Sequence, residues 1–299
     1  MNKLLQVLKK ILPPQVKASL GRTRRRSWSR LAKIENEKQK ILHSLPADSQ
    51  KAILLEKVSS RIYYDDGMYA GDTEHYFSVG LSAVNQVEEI LQSGEPCAVR
   101  EFLDMPCGYG RELRFFVHLL PQANFTACDV LKGGVDFCAA EFKAKPIYSH
   151  LNLDKVVFEK KFDFIWCGSL ITHLPEINID ALLALFSRNL NPNGIMAFTT
   201  QGEFAAARMS KDINFYGIYQ TDADVLLADY HKTGFGFRNY PQESGISEID
   251  STKSNYGISL TSPEWIQQKT EKIGGLNRIY FRAQGWDNHQ DVYDFQKCG

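Results

Sequence analysis

"EFLDMPCGYGRELRFF", residues 101–116, begins as a short apolar run closed by Asp104, turns on Gly108 and Gly110, and continues as a helix-forming stretch. A strand that ends in an acid and passes through glycines into a helix brings a carboxylate and free backbone N–H groups to one point. Gly108 and Gly110 permit positive φ and let a ligand approach the main chain, while the helix directs its first amides at that ligand. This turn is the expected binding point.

Beyond it, short apolar runs alternate with helical patterns: "NFTACDV", "GVDFCAAEFKA", "PIYSHLN", "FDFIWCGS", "IDALLALFSRNL" and "GIMAFTT". Alternation of this kind predicts a parallel sheet with helices on both faces, whose ligands lie at the carboxyl ends of the strands. Asp129 closes the second run, where a carboxylate can accept both ribose hydroxyls of an adenosine; alone it would read as a turn or N-cap acid. A nicotinamide-binding turn would carry a third glycine where Leu113 stands.

With the glycine turn and the acidic second strand, "FDFIWCGSLITHL" and "LNPNGIMAFTT" complete an ordered set. Over roughly residues 70–299 the chain resembles the class I S-adenosylmethionine-dependent methyltransferases. The resemblance implies an α/β fold: a seven-stranded, mostly parallel Rossmann-like sheet with an antiparallel last strand and helices on both faces. It also implies S-adenosyl-L-methionine as cofactor. Asp104, Cys107, Gly108 and Gly110 would surround its amino-acid portion, Asp129 its ribose, and Asn152 or Asp154 its adenine. Cys167, Gly168 and Ser169 would border the reacting centre. Pro106 stands where the family commonly has its first glycine, which predicts a stiffer turn. His173 looks like the family's histidine after the fourth strand, which is often structural.

An insert at 201–260 follows the fifth strand. It holds one expected helix, "TDADVLLADYHKTG", and the aromatic, glycine-rich "GFGFRNYPQES", read as loop. Gln201, Tyr240 and Tyr256 are expected near the acceptor. The tail "GGLNRIYFRAQGWDNHQDVYDFQKCG" reads as two strands. In the family's topology the tip of that hairpin lies at the catalytic end, which brings Trp286, Asp287, His289, Gln290 and Asp291 near the transferred methyl. His289 is the first candidate for a general base, with Asp291 or Asp287 orienting it; a polar hairpin turn is the competing reading. "YGISLTSPEW" and "GWDNHQDV" resemble bacterial methyltransferases associated with surface-polysaccharide biosynthesis, so an O-methyltransferase acting on a glycan or glycolipid precursor is the first expectation. A small-molecule or natural-product methyltransferase and an inactive cofactor-binding scaffold are the alternatives.

Residues 1–69 read as a basic amphipathic leader and helical extension. "MNKLLQVLKKILPP" sets apolar residues at helical spacing but is too short and too charged to span a bilayer. Residues 1–34 hold ten Lys or Arg and no acid, which leaves a net charge of −10 on the rest of a formally neutral chain. The leader fits a peripheral anchor on an anionic membrane or a segment docking on a protein, and a solvated leader is the plain alternative. Nucleic acid is a poor partner, because the positive charge is confined there. The six cysteines lack any C-x-x-C pairing. They suggest a reducing, cytoplasmic setting and no metal site. If the leader binds lipid, the full chain co-sediments with anionic vesicles in low salt, release follows added salt, and deletion of residues 1–34 abolishes binding. Equal sedimentation of both proteins would refute it.

Overall fold

The computed structural model describes residues 30–95, 98–212, 216–241 and 256–299. The leader, up to residue 29, lies outside the described residues. The chain divides into two units, Met1–Phe77 and Ser78–Gly299. Their boundary falls inside the helix Thr73–Ser93 rather than at the residue 69–70 junction expected from sequence.

In the first unit, helices span residues 30–44 and Gln50–Lys57. Ser49 caps the second helix by accepting from Ala52 N. That contact satisfies one of the amides left open at a helix start. The Lys38 ammonium is buried and donates to the Val58 carbonyl at 2.8 Å, and Tyr76 donates to Asp66 at 2.7 Å.

The second unit is built on a seven-stranded sheet. Its strands are β1 (Glu101–Asp104), β2 (Asn124–Asp129), β3 (Lys145–Tyr148), β4 (Phe162–Cys167), β5 (Leu190–Thr200), β8 (Leu276–Trp286) and β9 (Gln290–Lys297). They lie in the order β3-β2-β1-β4-β5-β9-β8, and β9 alone runs antiparallel to its neighbours. This is the sheet expected from the sequence. Successive side chains of a strand point to opposite faces, so the central strands feed two cores. Leu103, Ile165, Met196 and Phe198 pack with the helices Glu176–Asn189 and Pro263–Ile273. Phe102, Phe164 and Ala197 pack on the other face with Val87, Phe116 and Val135 of the remaining helices. Each such apolar side chain contributes about 1.5–3 kcal/mol when buried.

Within the insert, "GFGFRN" is not a loop. Phe235–Asn239 (β6) pairs antiparallel with Gly257–Thr261 (β7) in a second, two-stranded sheet. The glycines that signalled a loop are instead sites of close approach. A Cβ on Gly236 would lie 2.3 Å from the Leu226 carbonyl oxygen, and one on Gly257 would lie 2.0 Å from that of Arg238. The helix Gln220–Thr233 covers this pair, burying Ala223, Leu226 and Tyr230.

At the end of the main sheet, Trp286 pairs with Gln290 across a turn in which Asp287 and Asn288 adopt φ of 55° and 50°. Asp and Asn tolerate this left-handed conformation, and two such residues make the tight hairpin turn whose twist matches the strands. Because Thr200, the last residue of β5, pairs with Asp291, the turn stands at the carboxyl end of the parallel strands, as expected. Among the described residues, no helix is long and apolar enough to cross a membrane.

Asp294 on β9 is fully buried, and neither of its carboxyl oxygens has a hydrogen-bond partner. Burial pushes its pKa up to about 8. The folded state therefore holds a proton that the unfolded state, near pKa 3.9, releases. Stability associated with this group is full below about pH 4 and declines as pH rises toward the folded value. Asp294→Asn removes the slope. Its advantage over wild type in urea denaturation should grow between pH 5 and pH 8 by up to about 1.4 kcal/mol per pH unit. A pH-independent difference would refute it.

Candidate functional site

The site starts from the junction of β1 and β2. Asp129, at the end of β2, accepts from Gly108 N at 2.8 Å with one carboxylate oxygen and from Leu131 N at 3.0 Å with the other. It is 5% exposed. Burial pushes its pKa up, and the surrounding backbone N–H groups pull it back. Gly108 and Gly110 both have positive φ, as the turn requires, and the Met105–Pro106 peptide is cis. Beneath the turn, a Cβ on Gly134 would stand 2.2 Å from the Gly108 carbonyl oxygen, so the following helix packs directly on the turn's main chain. Cys107 is buried and points its thiol at the Gly108 carbonyl, 3.5 Å away.

Asp104 lies below this turn, 1% exposed, with Oδ2 lacking a partner. Burial, then the charges of Glu112, Cys138 and Asp129, push its pKa well above the ordinary carboxylate range. A buried acid with one acceptor oxygen lacking a donor is suited to a ligand ammonium, which would restore its ionised form.

Next to Asp129 opens a largely apolar recess, partly open to solvent. Met105, Val130, Leu151, Leu153, Leu170 and Leu174 form its apolar walls, and Pro106, Ser149 and Tyr256 also reach it. Asn152 and Asp154, expected at an adenine, are not part of this lining. Asn152 caps a short 3-10 turn, accepting from Asp154 N at 3.0 Å, and both residues are exposed. Their neighbours Leu151 and Leu153 take the place in the wall. Sequence reading passed over them because a leucine after a strand has no distinctive chemistry; the run "IYSHLNL" following β3 was the signal available.

The other end of the site lies beyond β4. Cys167 is buried in the core, and burial pushes its thiol pKa up. Ser169 adopts φ of 56°, a strained conformation for a residue with a side chain. A closed ring of hydrogen bonds holds it: Ser169 N donates to Thr199 Oγ1 at 2.7 Å, Thr199 donates to Gln290 Oε1 at 2.6 Å, and Gln290 Nε2 donates to Ser169 Oγ at 3.0 Å. Thr199 escaped the sequence reading because only the assembled sheet brings it to Ser169. Gln201 is buried at the end of β5, where its carbonyl accepts from Thr261 N at 2.9 Å.

Trp286, expected near the acceptor, belongs to the core. It is 2% exposed, donates to the Val79 carbonyl at 3.1 Å, and meets Trp166 edge-on. Gly168 fits against it, because a Cβ there would touch its ring at 3.1 Å. Asp291 is likewise structural. It accepts from Gln284 N at 2.8 Å across the β8 irregularity, and Gly202 leaves room for its Oδ2. These partners account for Asp291 without His289, leaving Asp287 as the carboxylate whose charge His289 feels.

His289 packs against Phe204 and Tyr216, with ring centroids 5.4 and 6.0 Å away. A carboxylate that oriented it, as expected of Asp291 or Asp287, would by itself raise its pKa. Burial, reinforced by Arg208, instead lowers it, and Asp287 opposes the shift. His173 is placed between Tyr240 and Tyr256, and burial lowers its pKa to about 4.

Residues 103–196 match the family model described as a methyltransferase domain. Two uncharacterized proteins of Rickettsia prowazekii are similar. RP789 is 26% identical over 123 residues, covering 39% of this chain and 22% of its own. RP028 is 24% identical over 175 residues, covering 56% and 68%. The chain thus spans about a fifth of the first relative's length and two thirds of the second's. Among solved structures, 1,6-didemethyltoxoflavin-N1-methyltransferase of Burkholderia thailandensis, bound to 1,6-didemethyltoxoflavin and S-adenosylhomocysteine, superposes with a TM-score of 0.50. It is 12% identical, with 79% of this chain and 84% of that one covered. The chain is therefore similar to methyltransferase domains over residues 103–196, and its sheet shares the fold of that solved structure. The site fits the cofactor of such domains, with a donor-short acid for an ammonium, a strand-end carboxylate for a ribose, and a largely apolar recess for a flat ring.

Proposed function

We propose that the chain is an S-adenosylmethionine-dependent methyltransferase acting on a small-molecule acceptor, with a hydroxyl of a glycan or glycolipid precursor as its target. The observation that carries the reading is Asp129, set between the glycine turn and the apolar recess and holding Gly108 N in place. Asp104 and the turn at 107–110 would bind the amino-acid portion, Asp129 the ribose, and the leucine-lined recess the adenine. When bound, the cofactor supplies a methyl group already activated on a sulfonium. The chain's own task is to align the acceptor, exclude water and remove a proton. Alignment alone can provide about 7–11 kcal/mol of barrier reduction.

Support for a hydroxyl acceptor comes from the uncharged polar groups Ser169, Thr199 and Gln290 beyond β4, and from the tail motifs that resemble polysaccharide-associated methyltransferases. A planar small-molecule acceptor is the second reading, favoured by the ring set of Phe204, Tyr216 and His289. His289 is the proposed base, with Asp287 favouring the imidazolium formed when the acceptor's proton arrives. Docking of the basic leader on an anionic membrane or a protein is a separate proposal.

Two substitutions test the cofactor and base assignments. Asp129→Ala should weaken S-adenosylmethionine by about 1.5–3 kcal/mol in calorimetry while the protein still melts cooperatively, and unchanged affinity would remove Asp129 from the ribose. Screening a panel of glycans and small hydroxylated or planar acceptors with labelled cofactor, read by mass spectrometry, identifies the acceptor class. With that acceptor, His289→Ala should lower turnover about 10²–10⁴-fold with cofactor affinity unchanged. Wild-type turnover should fall on the acid side, as pH drops through a histidine pKa lowered from its ordinary value of about 6.5. A mutant that keeps both wild-type turnover and that acid limb would exclude His289 from the chemistry.

A further inference from the structure

Tyr256 reaches the recess from outside the sheet. It directly precedes β7, in the insert, yet it lines the same cavity as Asp129, Val130, Ser149 and Leu170. Its ring stacks on His173, with centroids 4.8 Å apart and planes at 30°. His173 belongs to the 3-10 turn Ile171–His173 after β4, so the stack joins the insert to the sheet's carboxyl end. The imidazole is held in turn. Its Nδ1 lies 2.9 Å from the Gly257 carbonyl oxygen, which makes Nδ1–H the donor and binds the residue next to Tyr256. The Tyr240 hydroxyl is 3.1 Å from the same nitrogen, and Tyr240 N donates to the Tyr256 carbonyl at 3.2 Å. Burial, then Tyr240 and Asp129, push the Tyr256 phenol pKa upward, which sets its hydroxyl within the field of the Asp129 carboxylate. An aromatic ring supported on one face by His173, in a recess walled mostly by aliphatic side chains with Asp129, Ser149, His150 and Asn178 among them, is suited to a flat heterocycle.

We infer that Tyr256 is a cofactor-binding residue, closing the Asp129 side of the recess over the adenosine portion of S-adenosylmethionine, and that His173 is its positioning residue. The inference rests on the methyltransferase reading and deepens it. Tyr256 was expected at the acceptor, and this geometry puts it with the cofactor instead. The insert between β5 and the helix Pro263–Ile273 then serves the cofactor as well as the acceptor. His173 acts through its hold on Gly257 and its support of the phenol ring, not through proton transfer.

The test uses the full chain and S-adenosylhomocysteine, and needs no acceptor. In calorimetry, Tyr256→Ala should weaken the ligand about 10- to 100-fold, the range for losing one base–aromatic contact. Tyr256→Phe, which keeps the ring, should stay within about fivefold of wild type. His173→Ala should cost about three- to tenfold by leaving the ring less often in its competent position. His173→Asn, which retains a neutral donor for the Gly257 carbonyl, should restore most of that loss, whereas a merely space-filling histidine predicts no rescue. Hydrogen exchange on the wild type gives an independent result, because the ligand should protect residues 256–261. This measurement decides the matter if Tyr256→Ala fails to melt cooperatively. Wild-type affinity in a folded Tyr256→Ala protein, or no protection of 256–261 by bound ligand, overturns the inference alone. Absence of binding by the wild type overturns the cofactor reading itself.

Discussion

The hydrogen bond from Gly108 N to Asp129 ties the turn after β1 to the end of β2. Other features of the site depend on this clasp. It sets the path of the turn, and Gly134 lets the helix Lys132–Phe142 close on the Gly108 carbonyl from below. The same carboxylate borders the recess, so one side chain both shapes the turn and faces the proposed cofactor site. Its second oxygen is occupied by Leu131 N, which keeps the group oriented before any ligand arrives. Such preorganisation lowers the ordering cost of binding.

The sheet was legible because strands buried on both faces read as continuous apolar runs, as "FDFIWC" and "GIMAFTT" do, and because Asp104 and Asp129 mark two strand ends. The glycine turn between them was legible for the same local reason. What escaped the sequence was what proximity alone defines. Gly236 and Gly257 carry the ordinary signature of a loop, and only the carbonyls opposite them reveal strands. Trp286 in a polar hairpin reads equally as a surface or a buried aromatic until Val79 and Trp166 close around it. Asp291 and His289 are two residues apart, yet the strand gives them different neighbours. Adjacency in sequence was a poor guide to partnership in the fold.

The same distinction governs electrostatics at the carboxyl edge. Titratable groups there are each dominated by desolvation: Asp104, Asp129 and Asp291 toward the protonated form, His289 and His173 toward the neutral one. A site with this character favours uncharged partners at equilibrium and accepts charge when a ligand brings the counter-charge with it. A sulfonium cofactor with an ammonium group answers that description.

The ring of Ser169, Thr199 and Gln290 joins positions 30, 91 and 121 residues apart in the chain. Gln290 is the first residue of the last strand, and that strand lies between β5 and β8. The glycine turn and its clasp, by contrast, need only the segment from β1 to β2. During synthesis, which proceeds from the N-terminus, the glycine turn and its clasp therefore emerge well before Gln290, which closes the ring on Ser169. A nascent or C-terminally clipped chain can possess the turn and its clasp while lacking the ring.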